Sequence, residues 1–594
     1  MKISQIFILL LLSNIHLSKK IEKKLDGIPI SSDINNEKIS LAFDGDLSTN
    51  FISSNDYSWI GKELSHPSKI TKIGFYYNVP DISFYLLGIF QGSNDINFFD
   101  AVPLYMIINE EKKDEINYAE IKCNQIFKYI RYVGPPYTNS IISIFEIYGI
   151  EYSKDEIIYN PTNIYQPSNL PLLLINTENG TMLIGDDKTI KLESNIMIIN
   201  NKEIKSKKKA KIKLRGNSSL NIEKKSYTLN FDDGVKMFDI PNSSKKYVLI
   251  SNFYDKSLLR NVLAYEVSSL FKLKYTPSCR YVDLIINGYF QGNYIICEKI
   301  EVDNNKVNIT KMDKKCKREP TVSGGYLIEG DTNGQKDRSY FKTNQGVRFN
   351  IKYPKLENLI KNQYIYISNK FNEIEKEIFE GNINSIDIES FAKYFLIEEF
   401  CANVDSVYNS FYIYKEREDN KLYFGPVWDM DLAFDNSYIL YPTNNKKNFA
   451  YKFSISNGPT KKVVSKILSN RKILSKIKEI WYDMTNNGFN EDYLINFIDE
   501  KYKLIFESQK MNFIKWNILG ERVFMEGEIF ETYDEEVEFL KNFIIKRFET
   551  LDDIIYKANY DSVLKEYKTQ YDNMGQKDDE DEKYGDRKST RLNS

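Results

Sequence analysis

Three aspartates in the second half of the chain have the spacing and surroundings of groups that bind metal ions and move protons. Asp429 and Asp431 lie between Trp428 and the apolar segment Leu432-Ala-Phe434. Two carboxylates in an apolar frame are costly to bury unless a cation or hydrogen-bond donors compensate their charge. Because residues i and i+2 of a strand share a face, both carboxylates could contact one or two Mg²⁺ ions. The alternative is that one aspartate binds metal while Asp431 caps a helix.

Asp405 is the third aspartate, and it follows an apolar segment, Phe391–Phe400, whose spacing predicts a helix. It precedes Asp429 by 24 residues, the order in which a catalytic-loop aspartate precedes a metal-binding one in protein kinases. Phosphoryl transfer needs a phosphate-binding loop, a cation, carboxylates for Mg²⁺ and a group that positions the acceptor hydroxyl, and none of these roles needs histidine. We therefore assign Asp405 to the acceptor hydroxyl and Asp429 to metal.

Basic residues that could bind phosphate lie upstream. The segment Arg215-Gly-Asn-Ser-Ser219 joins two predicted strands and could turn a glycine and backbone N–H groups toward phosphate. Lys224 and Lys225 follow it. We favour Lys225 as the phosphate contact, because Lys225, Tyr227 and Leu229 share one face of the predicted strand. The alternative is a solvated basic hairpin in a lysine-rich chain.

Composition excludes several other kinds of chemistry. The 594 residues include 81 basic and 83 acidic side chains, and a net charge of −2 argues against a dedicated nucleic-acid binder. The two histidines, His16 and His66, both lie near the N-terminus, so the rest of the chain cannot form a Ser-His-Asp triad or a histidine zinc site. Five scattered cysteines without a C-x-x-C pair argue against a zinc ribbon and leave at most two disulfides.

The two ends of the sequence indicate processing rather than fold. A short basic start and the apolar run Ile6–Leu12 predict a secretory signal peptide over residues 1–18, and no later apolar stretch approaches the length of a membrane helix. We expect a secreted or lumenal protein without a transmembrane anchor. Residues 572–594 are predicted to form a disordered tail. The last nine residues, 586–594 (DRKSTRLNS), resemble a translated sequencing adapter and are excluded from the fold prediction.

Residues 27–152 predict an all-β sandwich, because short β-rich runs recur there between turn signals. These runs are 70–77, 84–90, 102–108, 127–133 and 141–148. Ala42-Phe-Asp-Gly-Asp46, Trp59-Ile-Gly61, Phe90-Gln-Gly-Ser-Asn94, Tyr129-Ile-Arg-Tyr132 and Phe145-Glu-Ile-Tyr-Gly149 resemble, in order and spacing, the landmarks of discoidin-like, galactose-binding-type jelly rolls.

That resemblance implies a calcium ion at Asp44, Asp46, Thr49 and Glu146, whose oxygen donors suit Ca²⁺. The alternative is that Asp44-Gly45 is a turn with self-capping carboxylates. Members of the family bind glycans, phospholipids or proteins, so a glycan or cell-surface ligand is expected.

Residues 170–560 predict an α+β body, with short strands first and helices after. The predicted strands are 172–175, 182–184, 196–199, 209–215 and 224–231, and the predicted helices are 258–271, 391–400 and much of 462–560.

Several blocks of this body resemble the spore coat protein H (CotH) kinase family. They are Arg215-Gly-Asn-Ser-Ser with Lys224-Lys-Ser-Tyr, Leu259-Arg-Asn261, Gly288–Glu298 (GYFQGNYIICE), Gly324–Glu329 (GGYLIE), Asn403-Val-Asp405, Tyr423–Phe434 (YFGPVWDMDLAF) and the Lys-x-x-Ile-x-x-Arg helix of Lys541 to Arg547.

The resemblance implies an atypical protein-kinase-like fold, ATP, and Mg²⁺ or Mn²⁺. It also implies a secreted or coat protein as substrate, with serine as the acceptor. The expected site has Asp405 and Lys225 as catalytic residues, and Asp429 and Asp431 on metal. Arg215, Asn217, Lys225 and Asn409 are expected on the nucleotide.

One position departs from the kinase pattern and keeps a rival function open. A metal-binding Asn usually lies five residues after the catalytic Asp, where this chain has Ser410, with Asn409 just before it. Ser410 therefore favours a non-catalytic adhesin or interaction platform, whereas Lys225, Asp405, Asp429 and Asp431 together favour an enzyme. A glycoside hydrolase would need paired catalytic carboxylates in another architecture, and no such motif is present.

Overall fold

A computed structural model describes residues 21–567 apart from 110–111, 113–114, 154–160, 332–337, 408, 455–457 and 559. The predicted signal peptide and C-terminal tail lie outside these residues. Within them, no helix has both the length and the apolar composition needed to cross a membrane.

The N-terminal region is a β-sandwich built around one long strand, β3. Its first half, from Ile60, lies between β2 and β7, and its second half, ending at Tyr76, lies between β6 and β8. The strand changes sheets near Pro67, which has no N–H to give to a ladder. The strands are β1 Lys23–Lys24, β2 Gly27–Ser31, β3 Ile60–Tyr76, β4 Ile89–Ser93, β5 Val102–Met106, β6 Asn117–Glu120, β7 Ile126–Val133 and β8 Ile144–Glu151.

The predicted all-β class is confirmed, and the prediction of a strand over 84–90 is mostly wrong. Residues Ile82–Phe84 form a 3₁₀ turn, because the Asp81 carboxylate accepts the Ser83 N–H, and the strand begins only at Ile89.

A closed barrel of seven strands follows the sandwich, in the order β10-β11-β12-β13-β15-β14-β9. All neighbours are antiparallel except β9 and β14, which pair in parallel. The predicted strand at 182–184 is absent, since those residues lie in the connection between β9 and β10. The strands are β9 Leu172–Thr177, β10 Leu192–Asn200, β11 Glu203–Arg215, β12 Ser226–Val235, β13 Ser244–Ile250, β14 Cys279–Ile286 and β15 Tyr289–Glu298.

Side-chain alternation gives the barrel two apolar faces. Leu173, Ile212 and Leu229 belong to the core inside the barrel. Leu172 and Leu174, which alternate with Leu173, point outward and share one core with the sandwich. A strand that is apolar on both faces reads as a continuous apolar run, as residues 172–175 do.

The contact between sandwich and barrel also contains a buried cation. Arg131 of β7 donates from Nη2 to the backbone oxygen of Asn287 in the β14–β15 turn (3.2 Å) and from Nε to Gln91 Oε1 (2.9 Å). Its guanidinium lies 4.1 Å from the centre of the Phe98 ring. Tyr289 adds a hydrogen bond from its hydroxyl to the backbone oxygen of Ser58 (3.1 Å). The sandwich is therefore packed on the barrel through apolar and polar contacts.

The C-terminal lobe combines a five-stranded sheet, β17-β18-β16-β19-β20, with helices. Helix α1 comes earlier in the chain, between β13 and β14, and packs in the core of this lobe. The strands are β16 Tyr326–Gly330, β17 Tyr340–Lys342, β18 Arg348–Tyr353, β19 Phe411–Lys415 and β20 Tyr423–Phe424. The helices are α1 Arg260–Leu270, α2 Lys361–Phe379, α3 Ile388–Cys401, α4 Gly458–Leu468, α5 Arg471–Asn486, α6 Glu491–Lys515, α7 Tyr533–Lys557 and α8 Tyr560–Tyr567.

A charge placed between sandwich and barrel tests this packing. Leu174→Asp would bury an unpaired carboxylate in the shared core, and we expect the free energy of unfolding to fall by about 3 kcal/mol or more. Ile28→Asp is the control, because Ile28 is 67% exposed on β2, and should leave stability within about 0.5 kcal/mol. Chemical denaturation monitored by circular dichroism would measure both. Equal, small effects would contradict the shared core.

Candidate functional site

Asp405 is held by the end of helix α3. The helix ends at Ala402 in the left-handed region (φ 50°), which turns the chain into the Asn403–Asp405 segment. Asn403 accepts the Asp405 N–H on Oδ1 (3.0 Å) and donates from Nδ2 to Glu398 Oε2 (2.9 Å). One amide side chain thus fixes the backbone at Asp405 to the buried last turn of α3.

Asp429 and Asp431 lie in a loop after β20 and not on a strand, so the argument from strand alternation is wrong. Asp429 has φ 65°, which breaks the extended pattern. The loop is held by side-chain amides: Met430 N–H donates to Asn261 Oδ1 (2.9 Å), and Asn436 Nδ2 donates to the backbone oxygen of Asp431 (2.6 Å).

The three carboxylates nevertheless influence one another. Burial, followed by the charge of Asp429, raises the pKa of Asp405 to about 7. Burial and then Asp429 also hold the pKa of Asp431 well above its ordinary value. Burial raises the pKa of Asp429 as well, although Arg215 and then Ser410 oppose that rise. Asp429 is an exposed residue, whereas Asp405 and Asp431 are half-buried, so solvent reaches one side of this group of carboxylates, here called the recess.

The three carboxylates have the chemistry of a cation site. Arg215 and Ser410 stabilise the charged form of Asp429 only in part, because its pKa is still raised. No cluster of three or more His, Cys, Asp or Glu side chains with metal-binding geometry occurs in the part of the chain that the structure describes. Mg²⁺ does not need such a cluster, since it usually takes one or two carboxylates and fills its other positions with water and substrate phosphates. Asp429 and Asp431 meet that requirement.

Ser410 and Asn409 connect the two aspartate segments. Ser410 Oγ donates to Asp429 Oδ2 (3.1 Å), and the Asn409 N–H donates to the backbone oxygen of Asp405 (3.3 Å). Ser410, which occupies the position where kinases usually carry asparagine, therefore contacts the expected metal ligand Asp429 through its hydroxyl group.

Arg215 brings positive charge to these carboxylates from the outer face of the barrel. Its guanidinium lies 5.6 Å from the Trp428 ring centre, and Tyr265 of α1 stacks with Trp428 at 6.2 Å. Among the described residues the Arg215 side chain makes no hydrogen bond or ion pair, so its guanidinium N–H groups are available to a ligand. Its charge is the largest influence that lowers the pKa of Asp429.

Lys299 is a second cation on the same outer face. It follows the end of β15, and burial, with repulsion from Lys246, Lys352 and Arg215, lowers its pKa to about 8 against the attraction of Glu301. Its Nζ has no hydrogen-bond or ion-pair partner within the described ranges. The charge of Arg215 acts on Lys299, so Lys299 is a second cation near Arg215.

Among the described residues Lys225 has its side-chain contact at the barrel end and none with the three aspartates, and its role at the phosphates stays a prediction. It precedes β12 in the register of Tyr227 and Leu229, and this register points into the barrel. Its Nζ donates to the backbone oxygen of Leu220 (2.5 Å). Lys224 is fully buried and donates to the Asn293 backbone oxygen (2.6 Å). Arg215 has the opposite register and faces outward.

Asn217 is exposed in the loop after β11, where its Oδ1 accepts a hydrogen bond from Lys188 Nζ (3.0 Å). This contact places it with the loop residues at the barrel end and gives it no partner among the three aspartates. Of the residues expected on the nucleotide, Arg215 and Asn409 therefore lie at the carboxylates.

Sequence reasoning missed two further groups at the site and a third near Arg215. Glu329 of β16 accepts hydrogen bonds from Tyr412 Oη (2.5 Å) and Lys352 Nζ (2.6 Å) and raises the pKa of Asp429. Glu398 is buried, and its pKa is raised to about 8 by that burial despite hydrogen bonds from Asn403 and Tyr394. Lys299 is the third. Glu329 ends one of the family-like blocks, which was the available signal for it, whereas Glu398 and Lys299 had none.

A cavity of about 310 Å³ opens beside the same loop. Its walls are the segment after α1, the loop at 304–308, Tyr414 of β19 and the Gly425-Pro426 turn. Lys274 lies 4.9 Å from the Tyr423 ring, which stacks on Tyr414 at 5.3 Å. Polar and aromatic groups therefore line this cavity. Its wall residue Gly425 lies four residues before Asp429 in the chain.

Among the described residues, the expected calcium residues of the sandwich do not form a metal-binding cluster of three or more side chains, and calcium binding at them stays a prediction. Asp44 accepts hydrogen bonds from Thr49 Oγ1 (2.9 Å) and the Asp46 N–H (2.8 Å), as in a self-capped turn. Glu146 instead accepts from Lys24 Nζ (2.6 Å), Tyr148 Oη (2.9 Å) and Tyr118 Oη (3.2 Å). Because Glu146 points outward from β8 toward these donors, it does not join Asp44 and Asp46 in a metal-binding cluster.

Comparison with known proteins gives one family and several structural neighbours. The model of the CotH kinase protein family matches residues 212–551, more than half of the 594 residues. Among solved structures, CBM62 from Clostridium thermocellum Xyl5A is 29% identical, with a TM-score of 0.21, over 22% of this chain and 98% of that module.

Two other neighbours are more distant in sequence. The F5/8 type C domain of a Bacteroides fragilis protein is 15% identical, with a TM-score of 0.19, over 22% of this chain and 98% of that domain. CpGH89CBM32-5 from Clostridium perfringens, solved with GalNAc-β-1,3-galactose, is 13% identical, with a TM-score of 0.18, over 21% of this chain and 99% of its own. These structures match the N-terminal region. No curated protein matches the chain.

The raised pKa of Asp405 gives a pH-dependent test of the site. The folded value is about 7 and the unfolded value is about 3.9, so folding is opposed above pH 7, where Asp405 must be charged. That penalty shrinks as pH falls from 7 toward 4, because the folded carboxyl becomes protonated first. Without divalent cations, Asp405→Asn should therefore raise the melting temperature by a few degrees at pH 8 and by little at pH 4.

Asp239→Asn, a change at an exposed carboxylate, is the control and should show no such pH-dependent gain. Differential scanning calorimetry from pH 4 to 8 would measure both variants. A gain for Asp405→Asn that is the same at pH 4 and pH 8 would contradict the raised pKa.

Proposed function

Because the chain belongs to the CotH kinase protein family, we propose that it is a secreted, ATP-dependent protein kinase that phosphorylates hydroxyl side chains, chiefly serine, of extracellular or coat proteins. The observation that carries this proposal is the pairing of opposite charges in one recess. Asp405, Asp429 and Asp431 come from loops of the C-terminal lobe, and Arg215, which lowers the pKa of Asp429, comes from the barrel, with Lys299 near it. Phosphoryl transfer needs both sets of groups, cations for phosphate and carboxylates for metal and hydroxyl.

Arg215 and Lys299 are proposed to bind phosphate oxygens. The Arg215 guanidinium lies over the Trp428 ring, which fixes its plane. A fixed guanidinium plane suits bidentate contact between its N–H groups and phosphate oxygens. The cavity beside Gly425 has room for the base of the nucleotide. Asp429 and Asp431 would hold Mg²⁺ or Mn²⁺, which neutralises charge on the transferring phosphoryl group.

Asp405 is proposed to accept a hydrogen bond from the acceptor hydroxyl and take its proton. Its pKa of about 7 suits this role near neutral pH, since proton transfer is most effective when the pKa of the base lies near the working pH. Glu398 stays largely neutral at pH 7 because its pKa is about 8. It can therefore accept the Asn403 hydrogen bond without adding a full negative charge beside Asp405.

The substitutions that separate these roles are at Asp405, Asp429 and Arg215. Asp405→Asn should leave binding of ATP with Mg²⁺ nearly intact while phosphoryl transfer falls by about 100-fold or more. Asp429→Asn and Arg215→Ala should weaken both binding and transfer, because these groups contact the ground-state metal and phosphates. Lys211→Ala is the control on the same strand, where Lys211 pairs with Glu193 at 3.0 Å, and should change neither quantity.

Isothermal titration calorimetry and transfer of labelled phosphate to secreted proteins of the same source would measure the two quantities. Much weaker ATP binding by Asp405→Asn would make Asp405 a metal ligand instead. If the unaltered protein neither binds ATP nor transfers phosphate, the kinase proposal fails and the non-catalytic interaction platform is supported.

We also propose that the sandwich binds a glycan on a cell or matrix surface. Tyr137 is 66% exposed and forms an edge-on pair with Tyr57 at 5.6 Å. Tyr137 also has φ 67°, a costly conformation for an aromatic residue. An exposed, rigid aromatic platform with polar neighbours is suited to the apolar faces and hydroxyls of sugar rings.

Binding to insoluble polysaccharides tests the platform. Tyr137→Ala should reduce the retained fraction at least several-fold, because the exposed ring is removed. Tyr118→Ala is the control, since Tyr118 is exposed on β6, and should bind as the unaltered protein does. Equal retention of both variants would exclude the Tyr57–Tyr137 platform.

A further inference from the structure

We propose that Cys279 and Cys297 form a covalent modification site, at which an oxidant of the disulfide class joins them into a cross-strand disulfide. All five cysteines are thiols in the structure. Cys279 begins β14 and lies directly opposite Cys297 of β15 in the antiparallel ladder. This inference does not depend on the proposed kinase activity.

The ladder position of the pair favours a bond between the two sulfur atoms. The neighbouring pair, Ser278 and Glu298, is joined by a backbone hydrogen bond from Glu298 N–H to the Ser278 oxygen (3.1 Å). Cys279 and Cys297 therefore occupy the adjacent non-hydrogen-bonded position, where opposed Cα atoms are about 4.5 Å apart. That separation lies within the range that a disulfide spans. Burial and then the neighbouring Cys279 thiol raise the pKa of Cys297, as expected for side chains on the same face of the ladder.

The other three cysteines have different surroundings. Cys123 lies in the core of the sandwich, and Cys401 lies at the end of α3. Cys316 contacts Asp313 and Arg417 through its sulfur atom. Among the described strands, Cys279 and Cys297 are the one pair of cysteines that face each other across a ladder.

Accessibility sets the order of the chemical steps. Cys279 is partly exposed, whereas Cys297 is fully buried. The Cys279 thiolate attacks the disulfide of the oxidant, such as oxidised glutathione, forming a mixed disulfide and releasing one thiolate. The Cys297 sulfur then loses its proton and attacks the Cys279 sulfur, releasing the second thiol. Two protein thiols and one disulfide become one protein disulfide and two small thiols.

The disulfide would constrain the outer face of the barrel, on which Arg215 lies. Cys297 has the same outward register as Lys299, two residues later, and the positive charge of Arg215 acts on its thiol. A disulfide would fasten β14 to β15 where the chain leaves the barrel for the C-terminal lobe. It would close a loop of about 18 residues and so restrict the unfolded chain.

The experiment uses the full chain, purified reduced and then incubated with oxidised glutathione or with dithiothreitol. Samples are quenched with acid, denatured, alkylated and digested for mass spectrometry. We expect a linked Cys279–Cys297 peptide in the oxidised sample alone, and a melting temperature several degrees above that of the reduced protein. Alkylation of both cysteines in the oxidised sample would overturn the proposal, as would linkage to any other cysteine instead.

Variants confirm the assignment. Cys279→Ser replaces the partly exposed member of the pair, and Cys297→Ser replaces the buried one. Both should lose the oxidation-dependent rise in melting temperature. Cys401→Ser, which removes a buried cysteine outside the pair, should keep it. If Cys297→Ser does not fold, Cys279→Ser decides, and a rise that persists in Cys279→Ser would overturn the proposal.

Discussion

Closure of the seven-stranded barrel is the constraint on which the other parts of the molecule depend. Because every strand has two neighbours, alternation sorts its side chains into an inner set and an outer set with no unpaired edge. The inner set forms a core of its own. The outer set supplies the surface that receives the sandwich on one side and the surface that carries Arg215 and Cys297 on another. A shift of one residue in β11 would send Arg215 inward and Leu214 outward.

The recess is an arrangement of charge that the protein alone balances only in part. Desolvation raises the pKa values of Asp405, Asp429 and Asp431, and the charge of Asp429 further raises those of Asp405 and Asp431. Arg215 is the main group that opposes this effect at Asp429. The three carboxylates of such a site attract cations, and Arg215 on the opposite side attracts anions. A metal–phosphate complex carries both kinds of charge, which is why one ligand could satisfy both sides.

Sequence reasoning reached the chemistry of the site more closely than its geometry. Asp405, Asp429 and Arg215 can be selected from the sequence because residue types and order carry the kinase-like pattern. The structure brings Asp429 close enough to influence Asp405 and to be influenced by Arg215, while the roles of the three residues stay predictions. Strand alternation predicts that Lys225 shares a face with Tyr227 and Leu229, but in a lysine-rich segment it cannot tell the inward face of a closed barrel from the outward face, and the structure gives Tyr227 and Leu229 the inward one. Glu398 could not be predicted from the sequence. Its buried carboxyl group lies on an apolar helix and is held by a hydrogen bond from Asn403 across a turn, and no local sequence pattern signals such a contact.

The docking of the sandwich has a consequence for how a large substrate would be handled. A module on a flexible linker lets its partner sample every orientation, so tethering acts only through effective concentration. Here the shared apolar core and the Arg131–Asn287 contact remove that freedom. The spacing between Tyr137 and Asp405 is therefore set by the fold. Under the two proposed functions, a polymer bound at Tyr137 would present to Asp405 only those segments that lie at that fixed distance.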